Sequence, residues 1–190
     1  MVHTAATVVR VDDARTTLLR RIVDDVATNG MGGRSLRDLA AAAGSSHRML
    51  LYHFGSREGL VAAMVGWVEQ SQRDLLRDLA TEATDAGDLI MQLWERVSAP
   101  ALRPFVRLFF EAAAARGLTD TRDDGLTAPW VDASFDAAEL LGIDVDPAEI
   151  RLGVAVTRGL LLDVLASGEV EPATEALRLY LQQWRVRSRT

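Results

Sequence analysis

SLRDLAAAAGSSHRMLLYHFGSREGL, residues 35–60, decides the fold, because three helix starts and a glycine stop crowd into one short run. Ser35 stands where a helix N-cap belongs, its hydroxyl suited to accept from the N–H groups that a first turn leaves open. Gly44 breaks the helix after two turns, since glycine enters the left-handed region without a Cβ penalty. Ser46 caps a second short helix, which runs into the aromatic cluster Tyr52-His53-Phe54. Ser56 opens a third.

Outward from this stretch the periodicity is helical throughout and shows no strand alternation. Upstream, a helix is expected over about 12–28, with Leu18, Leu19, Ile22, Val23 and Val26 three or four apart on one face. Asn29-Gly30 stops it. Downstream, a long helix is expected over about 56–84, then helices over 87–98, 102–116, 128–141, 147–167 and 171–187. Pro147 and Pro172 sit at helix starts, where a missing N–H costs nothing. The polar run GLTDTRDDGLT at 117–127 reads as a loop. The fold class is all-α, with about nine helices.

A chain of 190 residues that is 48% hydrophobic has enough apolar surface for a core. It has no cysteine, which excludes disulfides, thiolate metal sites and cysteine nucleophiles. No apolar run is long enough for a signal peptide or a membrane-spanning helix, so a soluble, cytoplasmic protein is expected. All 21 basic side chains are arginine and the net charge is −6, unevenly spread. Residues 1–58 hold eight arginines against six acids, a balance of +2; the rest hold 13 against 21, a balance of −8. Charges are screened beyond about 8 Å at physiological salt. A local basic surface can therefore face a phosphate backbone despite the acidic remainder.

Residues 35–54 suit a helix-turn-helix. Leu36, Leu39, Ala40 and Ala43 supply a small apolar face, Gly44 the turn, and Leu50 a residue that packs back. The cap at Ser46 leaves the second helix with a positive dipole end, and His47, Arg48 and Met49 project from its first turn, the part of a recognition helix that reaches base edges. Arg34, Arg37 and Arg57 flank it as phosphate contacts, and the N–H groups after Ser56 suit another phosphate. On spacing alone, ordinary packing of three amphipathic helices stays open beside this reading.

The order of a helix, SLRDLAAAAGSS, the Tyr-His-Phe cluster and SREGL resembles the N-terminal domain of TetR-type (TetR/AcrR) transcriptional regulators, over about residues 12–62. The resemblance implies a DNA-binding domain at 1–55 and a helical ligand-binding and dimerisation domain at 56–190. It implies DNA contacts among Arg34, Ser35, Arg37, Ser46, His47, Arg48, Met49, Tyr52, His53 and Arg57. One position departs from the pattern: Leu51 stands where many members have tyrosine, and Tyr52 follows it.

His47 and His53 are six apart, off a common helix face, and have no third ligand, so no metal site is expected. In the larger domain Trp67, Trp94, Phe105, Phe109 and Trp130 read either as core or as lining of an apolar cavity. By resemblance such a cavity holds an effector, with Met64 and Arg158 added to the lining. Val154, Leu161, Leu165, Leu177, Tyr180, Leu181 and Trp184 give the last two helices a broad apolar surface, the mark of an interface. The resemblance makes that interface a homodimer. The expected function is a homodimeric repressor of a palindromic DNA operator, released by a small, largely apolar effector, with no cofactor. A helical small-molecule-binding or scaffold protein without DNA binding is the alternative. No phosphate loop, paired carboxylates at metal spacing or nucleophile set points to an enzyme.

Overall fold

The computed structural model describes residues 3–115 and 127–187. The expected loop at 117–127 lies almost wholly outside them. Among the described residues the chain is helical: α1 His3–Asn29, α2 Leu36–Ala42, α3 His47–Phe54, α4 Arg57–Ala80, α5 Ala86–Val97, α6 Arg103–Ala115, α7 Ala128–Leu140, α8 Pro147–Ser167 and α9 Glu171–Arg187, with a 3₁₀ turn Pro100–Leu102 before α6. Two boundaries differ from expectation. The first helix begins at His3, there being no glycine or proline to interrupt residues 3–29. The fourth ends at Ala80, four residues early, because the following hydroxyls bond locally. Thr81 Oγ1 donates to the Asp78 carbonyl at 2.7 Å, and Asp85 caps α5 by accepting from Asp88 N at 2.9 Å.

The chain forms two compact units, 1–68 and 69–190, and the boundary falls inside α4. The first unit thus extends past residue 55, the expected boundary, and takes in the fully buried Leu60 and Met64. Here α2 packs on α1 and α3, around Leu18, Leu19, Ile22, Val23, Val26, Leu39, Ala40 and Leu50. The second unit is organised on α8, which packs against α6, α7 and α9, while α5 packs on α9. Its core gathers Leu76, Leu89, Leu93, Trp94, Val97, Ala133, Ala137, Val164, Leu177 and Leu181. Trp94 is 1% exposed, and its indole N–H donates to Thr174 Oγ1 at 2.8 Å, so its one polar atom is satisfied inside.

Candidate functional site

The first unit shows how so short a run holds two helices. Ser35 and Asp38 close a capping box on α2: Ser35 Oγ accepts from Asp38 N at 3.3 Å, and Ser35 N donates to the Asp38 carboxylate at 2.7 Å. Gly44 turns the chain with φ +66°. Ser46 Oγ then accepts from Met49 N at 3.2 Å, starting α3. On α3, Leu50 (1% exposed) and Phe54 face the core. Arg48, Met49, Leu51 and Tyr52 face solvent, and Tyr52 at 68% is the most exposed large apolar side chain described. His47 and His53 are half-buried. Of the expected reading residues, Arg48 and Met49 therefore lie exposed on one short, capped helix while His47 is half-buried; Tyr52, an expected flanking contact, is exposed on the same helix. Leu51 is also exposed and so does not join the core.

Not every expected contact residue is a simple surface charge. Arg37 is exposed. Arg34, by contrast, pairs with Asp25 at 2.6 Å and donates to the Gly30 carbonyl at 3.1 Å, tying α1 to the loop before α2. Arg57 Nη1 donates to the Arg34 carbonyl at 2.6 Å, fastening the start of α4 to the same loop. Burial pushes the Asp25 carboxyl up, but hydrogen bonds from Arg34 and Asn29 and the Arg34 charge outweigh it and hold the group below the usual carboxylate value. Arg15 backs α3 from α1, its guanidinium 5.2 Å from the Phe54 ring centre.

Two features of this region escaped the sequence reading. Gly55 has φ +73° between α3 and α4. At Gly59 a Cβ would collide with the Phe54 carbonyl, so only glycine fits where α4 leaves α3 this tightly. The signal was present in the two glycines flanking Ser56, four residues apart.

In the second unit, the expected effector residues separate. Met64 and Trp67 belong to the first unit, and Met64 is fully buried there. Trp94 is part of the core just described. Phe105 is buried, and Phe109 lies edge-on to Phe110. Trp130 and Arg158 take part in a charged cluster that includes two residues not anticipated, Glu69 and Arg73. Trp130 Nε1 donates to Glu69 Oε2 at 2.7 Å, and Arg73 lies 3.6 Å from that oxygen. Arg158 donates to Thr127 Oγ1 at 3.0 Å and sits 5.1 Å from the Phe109 ring centre. Burial pushes the Glu69 carboxyl up, against the bond from Trp130 and the charges of Arg158 and Arg73.

Of the expected interface residues, Leu177 and Leu181 lie in the unit's own core, with Leu161, Tyr180 and Trp184 packed against it. Val154 and Leu165 are half-buried. Among the described residues, the large apolar side chains that α8 and α9 leave exposed are Leu152, Leu162 and Leu179. Among the described residues no cluster of three potential metal ligands occurs, and no helix is long and apolar enough to cross a membrane.

Comparison with known proteins agrees with this architecture. Residues 26–64 match the family of bacterial regulatory proteins described as the tetR family. The matched segment holds the end of α1, all of α2 and α3, and the start of α4. A TetR-family transcriptional regulator from Pectobacterium atrosepticum has a similar structure, at 20% identity over 91% of this chain and 94% of that one, with a TM-score of 0.73. The multidrug binding protein EbrR, solved with imidazole, covers 87% and 88% at 21% identity and 0.61. GusR of Salmonella enterica covers 90% and 94% at 24% identity and 0.54. No curated protein matches the chain in sequence. Residues 26–64 thus match the tetR-family model, and the chain shares its all-helical fold with these solved regulators.

Proposed function

We propose that the protein is a cytoplasmic, homodimeric repressor that binds a palindromic DNA operator and is released by a small effector. The observation that carries the reading is the front of α3. A capped helix, anchored by Leu50 and Phe54, holds Arg48, Met49 and Tyr52 out in solvent. A convex helix face with a cationic residue in its first turns suits a major groove. Ser46 caps that helix beside His47, while Ser35, Arg37, His53 and Tyr52 flank it as backbone contacts. Arg34 and Arg57 stiffen the loop between and add positive charge. Two copies joined through α8 and α9, by Leu152, Leu162 and Leu179 with Val154, Leu161 and Leu165, would offer paired α3 helices to half-sites about one helical turn apart. Release by an effector from 99:1 to 1:99 requires a difference in affinity of about 5.5 kcal/mol between the two states.

The test is a gel shift with the DNA upstream of the protein's own coding sequence, repeated over a salt series. Binding that falls steeply with salt and centres on a palindrome is expected. Arg37→Ala should flatten the salt slope by about one unit. Equal binding to all duplexes would remove the operator, and no binding would leave a helical small-molecule-binding protein.

A further inference from the structure

Leu51 is the exposed residue of α3 that the regulator reading leaves unused. The exposed side chains of this helix are Arg48, Met49, Leu51 and Tyr52, with Met49 at 40% and Leu51 at 39%. At about 100° per residue they form one arc about 160° wide, with Arg48 and Tyr52 in its middle and Leu51 and Met49 at its two edges. A lone exposed apolar side chain needs no explanation. Here three adjoin on a helix of eight residues. The core side of α3 is taken by Leu50 and Phe54, so Leu51 and Met49 have no place in it. Neither can donate a hydrogen bond to a phosphate. The helix also carries no carboxylate and no side-chain amide. Those are the groups that pair with cytosine and adenine in the major groove, whereas arginine pairs with guanine and apolar side chains meet the thymine methyl.

We propose that Leu51 and Met49 read thymine by packing on its C5-methyl group, so that apolar contact sets part of the operator sequence beside the hydrogen bonds of Arg48. Of the four bases only thymine presents a carbon group in the major groove. Any other base leaves these two side chains against polar edges that they cannot satisfy. Leu51 lies three residues, about 4.5 Å, along the helix axis from Arg48. Successive base pairs are about 3.4 Å apart. The methyl that Leu51 covers therefore belongs to a pair adjacent, or next but one, to the base that Arg48 takes. This base preference rests on the duplex-binding reading of α3 given above.

Thymine differs from uracil by that methyl group alone. Duplexes selected by the full-length protein from a randomised pool, then remade with dUTP in place of dTTP, isolate its contribution, with affinity read by fluorescence anisotropy. The natural chain is expected to bind the uracil duplexes at least about fourfold more weakly, the worth of one buried methyl group, or about 0.8 kcal/mol. Leu51→Ala should shrink that difference, and Met49→Ala added to it should abolish it. Both side chains are exposed, so alanine opens no cavity in the core. Arg37→Ala should weaken both kinds of duplex alike and keep the difference. Equal affinity of the natural chain for the two would overturn the proposal. So would a difference that is unchanged in Leu51→Ala, which would trace it to duplex shape. Selection of no sequence from the pool would instead sink the duplex-binding reading itself, and this base preference with it.

Discussion

Two arginine–carboxylate pairs, one in each unit, are put to opposite use. In the first, Asp25 and Arg34 meet at 2.6 Å, with Asn29 also donating to the carboxylate at 2.8 Å, and the acid is held ionised. The pair is a fastener: it closes α1 onto the loop from which α2 starts, and Arg57 locks to the same loop. In the second, Glu69 and Arg73 stand 3.6 Å apart, burial exceeds what the partners return, and the acid is pushed toward its neutral form. The difference teaches how each unit holds its charges. The first keeps its internal charges satisfied and sends others, Arg37 and Arg48, out to solvent. The second keeps Glu69, Arg73 and Arg158 half-buried beside the rings of Trp130 and Phe109.

That contrast breaks most sharply at Arg34. Arg34→Ala leaves Asp25 without its cationic partner, while the main-chain carbonyl that holds Arg57 remains. The expected loss is about 2–3 kcal/mol of stability in urea unfolding, the scale of hydrogen bonds to a charged group. A loss below about 0.5 kcal/mol, the range of ordinary surface changes, would make the pair incidental. Arg48→Ala probes the outward charges of the same unit. Sequence discrimination should fall by about 1–3 kcal/mol if the side chain pairs with guanine, while thermal stability stays as it was. A stability loss with unchanged discrimination would turn Arg48 into a structural residue.

The smallest effect is the most specific to the comparison, because the two acids should respond to pH with opposite sign. Asp25 has a lowered value in the folded protein. Its contribution is present above the usual carboxylate range and is lost as pH falls through the folded value. Glu69 has a raised value, so the unfolded chain releases that proton first, and stability declines as pH rises from the usual range to the folded value. Unfolding measured against pH should therefore show Asp25→Asn removing stability at neutral pH but little in acid. Glu69→Gln should gain relative to the natural chain as pH rises. Parallel profiles for the two variants would dissolve the distinction between the units.

Much of the fold was legible in the sequence because local chemistry states it. Gly44 and the hydroxyls of Ser35 and Ser46 mark α2 and α3, and Pro147 sits on the first residue of α8. The projection of Arg48 and the burial of Leu50 follow from position on α3 alone. Pairings across the chain were not legible. Arg57 read as a phosphate contact, yet its nearest acceptor is a carbonyl 23 residues back. Glu69 and Trp130 are 61 residues apart, and nothing local distinguishes that glutamate from a solvated one. Its spacing of four from Arg73 was the available hint, and that spacing is common on exposed helix faces. Leu177 and Leu181 looked like interface residues because an apolar stripe does not say whether its own unit or another copy covers it.

The central claim is that the first turns of α3 enter a duplex groove. Hydroxyl-radical footprinting of the operator-length DNA, with the natural chain and Arg48→Ala side by side, tests it most directly. The account predicts two protected patches on one face of the duplex, about one helical turn apart between centres, both lost or blurred in the variant. A single patch, protection spread evenly along the duplex, or an identical pattern from Arg48→Ala would contradict it.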